Sequence, residues 1–299
     1  MDHLLPKVEI DPSAGFCSGV KRAIEATEQL LSQPDDVFCL GEIVHNEAEL
    51  ERLNNLGMKI LNREKDNTGD IKGRIIIRAH GEPPSTFERL QAEGTTVVDA
   101  TCPVVIRLQQ RVKKASAEMM EARGSVIIFG KPGHPEVQGL LGNSSGNAIV
   151  IRAVEELDRI DLTRPLRVFS QTTSDLGAYN KFCEAILAGA AKASGEKSDV
   201  IINQTVCSQM SRRGPGIEQF ALSHDVIVFV SGSGSSNGKY LSGISKAKNS
   251  RTYVVTDTGQ VKPEWFVNAL SIGVSGATST PVWLMHQVAG EITRMIKND

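Results

Sequence analysis

No stretch of the sequence reaches the roughly 18 uninterrupted apolar residues of a membrane-spanning helix. The start, MDHLLPKVEIDPSAG, also lacks the basic-then-apolar pattern of a secretion signal. A cytoplasmic protein is the expectation. Neither sign of charge predominates: 33 Lys and Arg against 35 Asp and Glu leave a formal net charge of −2. That balance excludes the broad positive field that captures nucleic acid, so any anion must be held by a local site. Aromatic residues are scarce, 5% of the chain beside 40% hydrophobic residues. A core of Val, Ile, Leu and Ala suits parallel strands covered by helices better than an antiparallel sandwich. Cysteines are few and odd in number, Cys17, Cys39, Cys102, Cys183 and Cys207, and no two form a CxxC pair. This argues against a secreted disulfide framework and against structural zinc, which is normally closed by four near-paired ligands.

What is present is a repeated alternation of short apolar runs and helical periodicity. VFCLGEIV precedes NEAELERLNNLG, GRIIIRAH precedes PPSTFERLQAEG, and TTVVDATC precedes PVVIRLQQRVKKASAEMMEARG. The pattern continues through SVIIFG, NAIVI, LRVFS, DVIINQTVC, HDVIVFV, TYVVT and SIGVS to a last helix expected over 281–295. Right-handed βα crossovers build parallel sheets covered by helices, with ligands beyond the carboxyl ends of the strands. Three segments, VEIDPSAGFC, VVDATC and VIINQTVC, share an apolar stretch, a short polar step and a cysteine, at intervals of 85 and 105 residues. Each interval is the size of a small α/β unit. The expected fold is therefore α/β, three related units with small, mainly parallel sheets, each offering one cysteine toward a common centre. The boundaries expected are 20–101, 102–203 and 204–299.

Cys17 in GFCSGV and Cys102 in DATCP each precede a helix, and a helix N-terminus favours the thiolate, the metal-binding form. Cys39 lies inside an apolar strand and Cys183 inside an amphipathic helix, so both are read as core. Three thiolates on a cluster of four irons leave one iron open as a Lewis acid, whereas four make an electron carrier. His45 in EIVHNE, His80 in IIRAHGE and His134 in GKPGHPE each follow a strand and suit anion or metal binding. His3, His224 and His286 are read as structural or exposed. VSGSGSSNGKYL follows a strand and opens a helix, so Ser235, Ser236 and Asn237 stand where phosphate binds well. It is not a Walker A loop, because the glycine spacing differs and Tyr240 replaces Ser or Thr. Ser279 in GATSTP forms a second such loop. Glu136 and Thr172 are the remaining strand-end groups able to move protons, and HPE is not the HExxH of zinc proteases.

Taken in order, GFCSGV, EIVHN, AHG, DATCP, GHPEVQG, QTT, a third lone cysteine, SSN and TSTP resemble the 4-hydroxy-3-methylbut-2-enyl diphosphate reductase family over nearly the whole chain. The resemblance implies that Cys17, Cys102 and Cys207 hold a [4Fe-4S] cluster that can degrade to [3Fe-4S]. By the same similarity His45, His80, His134, Ser235, Ser236, Asn237 and Ser279 would hold the substrate diphosphate, while Thr172 and Glu136 would handle its hydroxyl and proton. It further implies a threefold arrangement of the units around the cluster, an N-terminal strand in 1–19 joining the third unit, reductive dehydroxylation to isopentenyl and dimethylallyl diphosphates, and electrons from a ferredoxin or flavodoxin. One region departs from the family pattern: CSQMSRRGPGIEQF carries Met210 where a hydroxyl residue is common, and Gly214-Pro215-Gly216 is expected to delay or break the helix. A zinc hydrolase with Cys and His ligands, or a cluster-bearing sensor without turnover, would share part of this residue set. Single Ser substitutions at Cys17, Cys102 and Cys207, purified anaerobically, should each lose the cluster spectrum, whereas Cys39→Ser and Cys183→Ser should retain it. A normal spectrum in any of the first three removes that residue from the ligand set.

Overall fold

Three four-stranded sheets carry the strands of the computed structural model, in which residues 5–61, 71–194 and 199–298 are described; His3 lies outside them. In chain order the elements are β1 (Lys7–Ile10), α1 (Ser18–Leu31), β2 (Val37–Leu40), α2 (Glu47–Asn55), β3 (Met58–Leu61), β4 (Arg74–Ile77), α3 (Pro84–Ala92) and β5 (Thr96–Asp99). There follow α4 (Pro103–Glu121), β6 (Ser125–Phe129), α5 (Pro135–Gly142), β7 (Ala148–Ile151), β8 (Leu166–Ser170), α6 (Leu176–Ser194) and β9 (Val200–Ile202). The last are α7 (Ser208–Leu222), β10 (Val226–Val230), α8 (Ser236–Lys248), β11 (Thr252–Val255), β12 (Ser271–Gly276) and α9 (Val282–Asn298). Read from the same end, the sheet orders are β1-β12-β10-β11, β5-β4-β2-β3 and β9-β8-β6-β7. The three sheets thus repeat one plan, in which β1, β5 and β9 are equivalent edge strands. The expected α/β class with small parallel sheets is what the chain adopts.

By its packing the chain falls into two compact units, residues 1–60 with 212–299, and residues 61–211. In the first, β1 pairs in parallel with β12, Lys7 to Ser271 through Ile10 to Val274. VIVFV of β10 is buried along its whole length, as the central strand of a sheet covered on both faces must be. Strand periodicity sends Val226, Val228 and Val230 to one face, against Leu284, Met285, Val288 and Ile292 of α9. It sends Ile227 and Phe229 to the other, against Ile217 and Ala221 of α7 and Leu241 of α8. The second unit repeats this around β6 and β8. Ile127, Phe129 and Val168 meet Tyr179, Phe182 and Ile186 of α6, while Val126, Ile128 and Phe169 meet Leu108, Val112 and Met119 of α4 and Leu140 of α5. Each such fully buried side chain contributes about 1.5–3 kcal/mol.

One local expectation is overturned. α7 runs unbroken from Ser208 to Leu222 with Pro215 inside it. A proline there removes one backbone hydrogen bond and crowds the preceding turn, and its flanking glycines are weak helix formers. Burial of Ile217 and Ala221 against β10 and α8 outweighs these costs. Cys39 is fully buried in β2 and Cys183 nearly so in α6, as expected of core cysteines.

Next to the sheet of the first unit, Glu49 of α2 is 1% exposed, and its carboxylate meets one guanidinium and one indole. Arg52 reaches its two oxygens from Nε at 3.0 Å and Nη2 at 2.6 Å, and Trp283 Nε1 donates to it at 2.7 Å. Removing the cation leaves a buried carboxylate that, among the described residues, the indole alone serves. Arg52→Met should therefore lower unfolding free energy by about 3 kcal/mol in urea titration, and adding Glu49→Gln should recover much of that loss. A single mutant within about 0.5 kcal/mol of the parent would show the pair to be a surface pair in energetic terms.

Candidate active site

The three edge strands end in loops that carry Cys17, Cys102 and Cys207. Cys17 and Cys102 are the N-cap residues of α1 and α4, and Cys207 immediately precedes α7. Their backbones are tied alike. Each N–H donates to a carbonyl at the end of the neighbouring strand: Cys17 to Thr278 at 3.2 Å, Cys102 to Ala79 at 3.0 Å, Cys207 to Thr172 at 2.8 Å. Each carbonyl accepts the first bond of its helix, from Lys21 at 2.9 Å, Ile106 at 2.9 Å and Ser211 at 3.0 Å. All three thiols are half-buried. No acidic residue stands in the first turn of α1, α4 or α7, so the positive end of each helix is left open to a negatively charged group. Burial instead pushes the Cys183 thiol up, which keeps it protonated and inert.

The remaining candidates fall on two further loops of the same repeated plan. After β10, β2 and β6 come Ser235-Ser236-Asn237, His45, and His134 with Glu136; after β12, β4 and β8 come Ser279, His80 and Thr172. In the first unit Ser235 caps α8, its Oγ accepting from Gly238 N at 3.0 Å and lying 2.9 Å from Ser279 Oγ. Asn237 Nδ2 donates to Thr278 Oγ1 at 2.8 Å, so the α8 start and the loop after β12 are fastened side chain to side chain. The Ser236 side chain is exposed. Gly232 has no room for a Cβ, which would fall 2.4 Å from the His45 carbonyl oxygen. The β2 loop therefore lies directly on the β10 loop, where Glu47 also accepts from Ser233 N at 3.0 Å. His45 Nδ1 lies 3.1 Å from Glu42 Oε2.

In the second unit His134 caps α5, its Nδ1 accepting from Glu136 N at 3.1 Å. Acceptance uses the lone pair of Nδ1, so in the neutral ring the proton stands on Nε2. The His80 and His134 rings meet edge to face with centroids 5.1 Å apart. Glu136 is 1% exposed. Its Oε1 accepts from Thr172 N at 2.6 Å and its Oε2 from Thr172 Oγ1 at 2.7 Å. Burial pushes its carboxyl up to about 7 against the opposing pull of the two Thr172 bonds. A group poised there can hold or release a proton at neutral pH. Cys17, His45, Ser235, Ser236, Asn237 and Ser279 thus belong to the first unit, and Cys102, Cys207, His80, His134, Glu136 and Thr172 to the second.

The sequence profile described as LytB protein matches residues 8–293. The chain belongs to the LytB family. Two curated relatives, each named 4-hydroxy-3-methylbut-2-enyl diphosphate reductase, extend the match over full length. The protein of Parabacteroides distasonis is 41% identical over 290 residues, 97% of this chain and 98% of the relative. That of Bacteroides thetaiotaomicron is 41% identical over 294 residues, 98% and 99% of the two chains. Among solved structures, one described as (E)-4-hydroxy-3-methyl-but-2-enyl diphosphate reductase, the terminal enzyme of the non-mevalonate pathway, is 33% identical with a TM-score of 0.71, covering 96% of this chain and 99% of that one. A reductase structure from Plasmodium falciparum, 22% identical, matches in fold with a TM-score of 0.82 over 97% of this chain and 88% of that one. The resemblance read from the sequence motifs is thereby borne out at the level of the family. Three residues that the motifs did not single out are tied to the candidate loops: Thr278 through Asn237 and Cys17, and Asp11 and Arg213 through the loop before Cys17. Thr278 stood within the ATST run and Arg213 within the run after Cys207, but neither type signals a buried polar contact by itself.

The raised carboxyl of Glu136 carries a stability consequence of definite sign. A folded value of about 7 against the ordinary 4.5 means that the favourable, protonated state is complete below about pH 4.5 and is lost as pH rises through about 7. The full loss is on the order of 3 kcal/mol. Urea unfolding at about pH 5 and about pH 8 should show that fall in the parent and a much flatter dependence in Glu136→Gln. Equal pH dependence in both proteins would mean that Glu136 is ionised throughout.

Proposed function

We propose that the chain catalyses reductive dehydroxylation of 4-hydroxy-3-methylbut-2-enyl diphosphate to isopentenyl and dimethylallyl diphosphates, with Cys17, Cys102 and Cys207 holding a [4Fe-4S] cluster. The observation that carries the reading is the threefold repetition of one setting: a half-buried thiol at a helix start, its N–H bound to the neighbouring strand's end. The donor set fits the group. Thiolates at helix N-termini are the ligands that iron–sulfur clusters take, and three of them on four irons leave one iron without a protein ligand. When bound, the cluster would supply single electrons and a Lewis-acidic iron for an alcohol oxygen.

The protein's own part follows from the loops. The N–H groups at the start of α8, the Ser235, Ser236 and Ser279 hydroxyls and the Asn237 amide form the donor set for diphosphate, with His45, His80 and His134 adding ring N–H donors. His134 is preset for this by the bond at its Nδ1. Glu136, protonated on part of its population near pH 7, delivers the proton that lets the hydroxyl leave as water, and Thr172 orients that carboxyl through two hydrogen bonds. The reaction consumes two electrons and two protons per molecule. Because the sequence carries no nicotinamide or flavin motif, the electrons come from a ferredoxin or flavodoxin. No described helix is long and apolar enough to cross a membrane, in keeping with a cytoplasmic enzyme. A division into three domains at 20–101, 102–203 and 204–299 with 1–19 belongs to the same proposal, supported by the sheet orders and by the β1–β12 pairing.

Two variants separate binding from proton delivery. Ser235→Ala combined with Asn237→Ala should weaken inorganic diphosphate binding about tenfold or more, two good hydrogen bonds' worth, with iron content unchanged; loss of iron in step with binding would point to metal ligation. Glu136→Gln should bind substrate yet turn over about 10²–10⁴ more slowly at matched cluster content. A rate within about threefold of the parent would remove Glu136 as proton donor.

A further inference from the structure

Two arginines follow one another on α7, and they are treated differently by the fold. Arg212 is exposed, whereas Arg213 is half-buried. Arg213 Nη2 donates to the carbonyl oxygen of Gly15 at 2.7 Å. Gly15 has a φ of +107°, and a Cβ there would lie 2.9 Å from Val282 Cγ2. The carbonyl that Arg213 holds is thus presented by a backbone conformation that glycine alone adopts readily, two residues before Cys17. Across the same loop Asp11 is buried, 5% exposed, and its carboxylate accepts from Ser13 N at 2.8 Å, Ser13 Oγ at 2.7 Å and Ser275 Oγ at 2.8 Å. A fixed anion and a fixed cation therefore flank the loop that carries one thiol.

We propose that Arg213 is a positioning residue for Cys17 and sets the reduction potential of the cluster that Cys17 helps to hold, with Asp11 acting in the opposite direction. This rests on the cluster assignment made above. Burial pulls the Arg213 guanidinium down, and the charges that oppose this are those of Asp11 and Cys17; a guanidinium nonetheless stays charged throughout the physiological range. A cluster with three thiolates is anionic, and each electron it accepts adds negative charge. Net charge near the cluster is among the levers on its potential. In a half-buried setting a permanent cation favours the reduced state, and a permanent anion disfavours it. A lysine would keep the charge while losing the planar fork that meets the Gly15 carbonyl.

The test is a redox titration of anaerobically purified holoprotein, followed by electron paramagnetic resonance at matched cluster content. Arg213→Gln should lower the equilibrium constant for one-electron reduction about tenfold, which is a potential about 59 mV lower. Arg213→Lys should stay near the parent. Asp11→Asn, which keeps the shape of the side chain, should move the potential upward. A purely structural clamp would change cluster retention and thermal stability in Arg213→Gln but leave the potential of the surviving cluster where it was, and that result overturns the proposal. So does a Lys variant that falls together with Gln. Should Arg213→Gln fail to hold a cluster, the Asp11→Asn shift decides: an unchanged or lowered potential sinks the idea. Failure of the underlying cluster assignment looks different, since the parent itself would then carry no iron and no redox signal.

Discussion

Three backbone hydrogen bonds, from the N–H groups of Cys17, Cys102 and Cys207 to Thr278, Ala79 and Thr172, are the constraint on which the rest depends. Each fixes the last residue of an edge-strand loop against the end of the next strand. With its N–H committed outward and its carbonyl already accepting the first helical bond, the cysteine becomes the helix start, and its side chain is left at the positive end of the dipole. The bonds are local and repeated, so the thiols do not rely on a long-range fit of irregular loops. A parallel sheet is what allows this: all strands end on the same side, and one edge strand per sheet delivers one cysteine there.

The same plan explains why the other candidate residues are histidines, serines and one buried glutamate. Loops at the carboxyl ends of parallel strands are followed by helix N-termini, whose free N–H groups call for caps and attract anions. Ser235 and His134 are such caps, each accepting a backbone N–H through its side chain. Glu136 has its N–H taken by the His134 cap and its carboxyl turned onto Thr172, 1% exposed. A carboxylate in a helix's first turn would ordinarily be solvated and fully ionised; burial is what brings it to about 7. Thr172 joins the two functions, giving its N–H and hydroxyl to Glu136 and its carbonyl to Cys207.

Much of this was legible in the sequence because the relevant signals are local. βα alternation, the placement of Cys39 in a strand and Cys183 in a helix, and the strand-end positions of the three histidines all follow from runs of ten residues or fewer. The helix through Pro215 was not legible. Gly214-Pro215-Gly216 are breakers within a few residues, while the burial of Ile217 and Ala221 that overrides them is contributed by β10 and α8. Arg213 escaped for a related reason. In a run of two arginines nothing local tells which one turns inward, and its partner, Gly15, lies 198 residues away in sequence. Thr278 looked like one hydroxyl among several until its bond to Asn237 gave it a place. Glu136 was visible as a proton-active group, yet its burial, which sets its acidity, is a tertiary property.

The central claim is that three thiols act as one ligand set. Timed iodoacetamide labelling of the anaerobic holoprotein, read residue by residue by mass spectrometry before and after chelation of the iron, addresses it directly. Cys17, Cys102 and Cys207, although half-buried rather than closed off, should be protected together in the holoprotein and become reactive together when the iron is removed, while Cys39 and Cys183 stay slow in both. Labelling of any one of the three while the cluster remains intact would contradict the account.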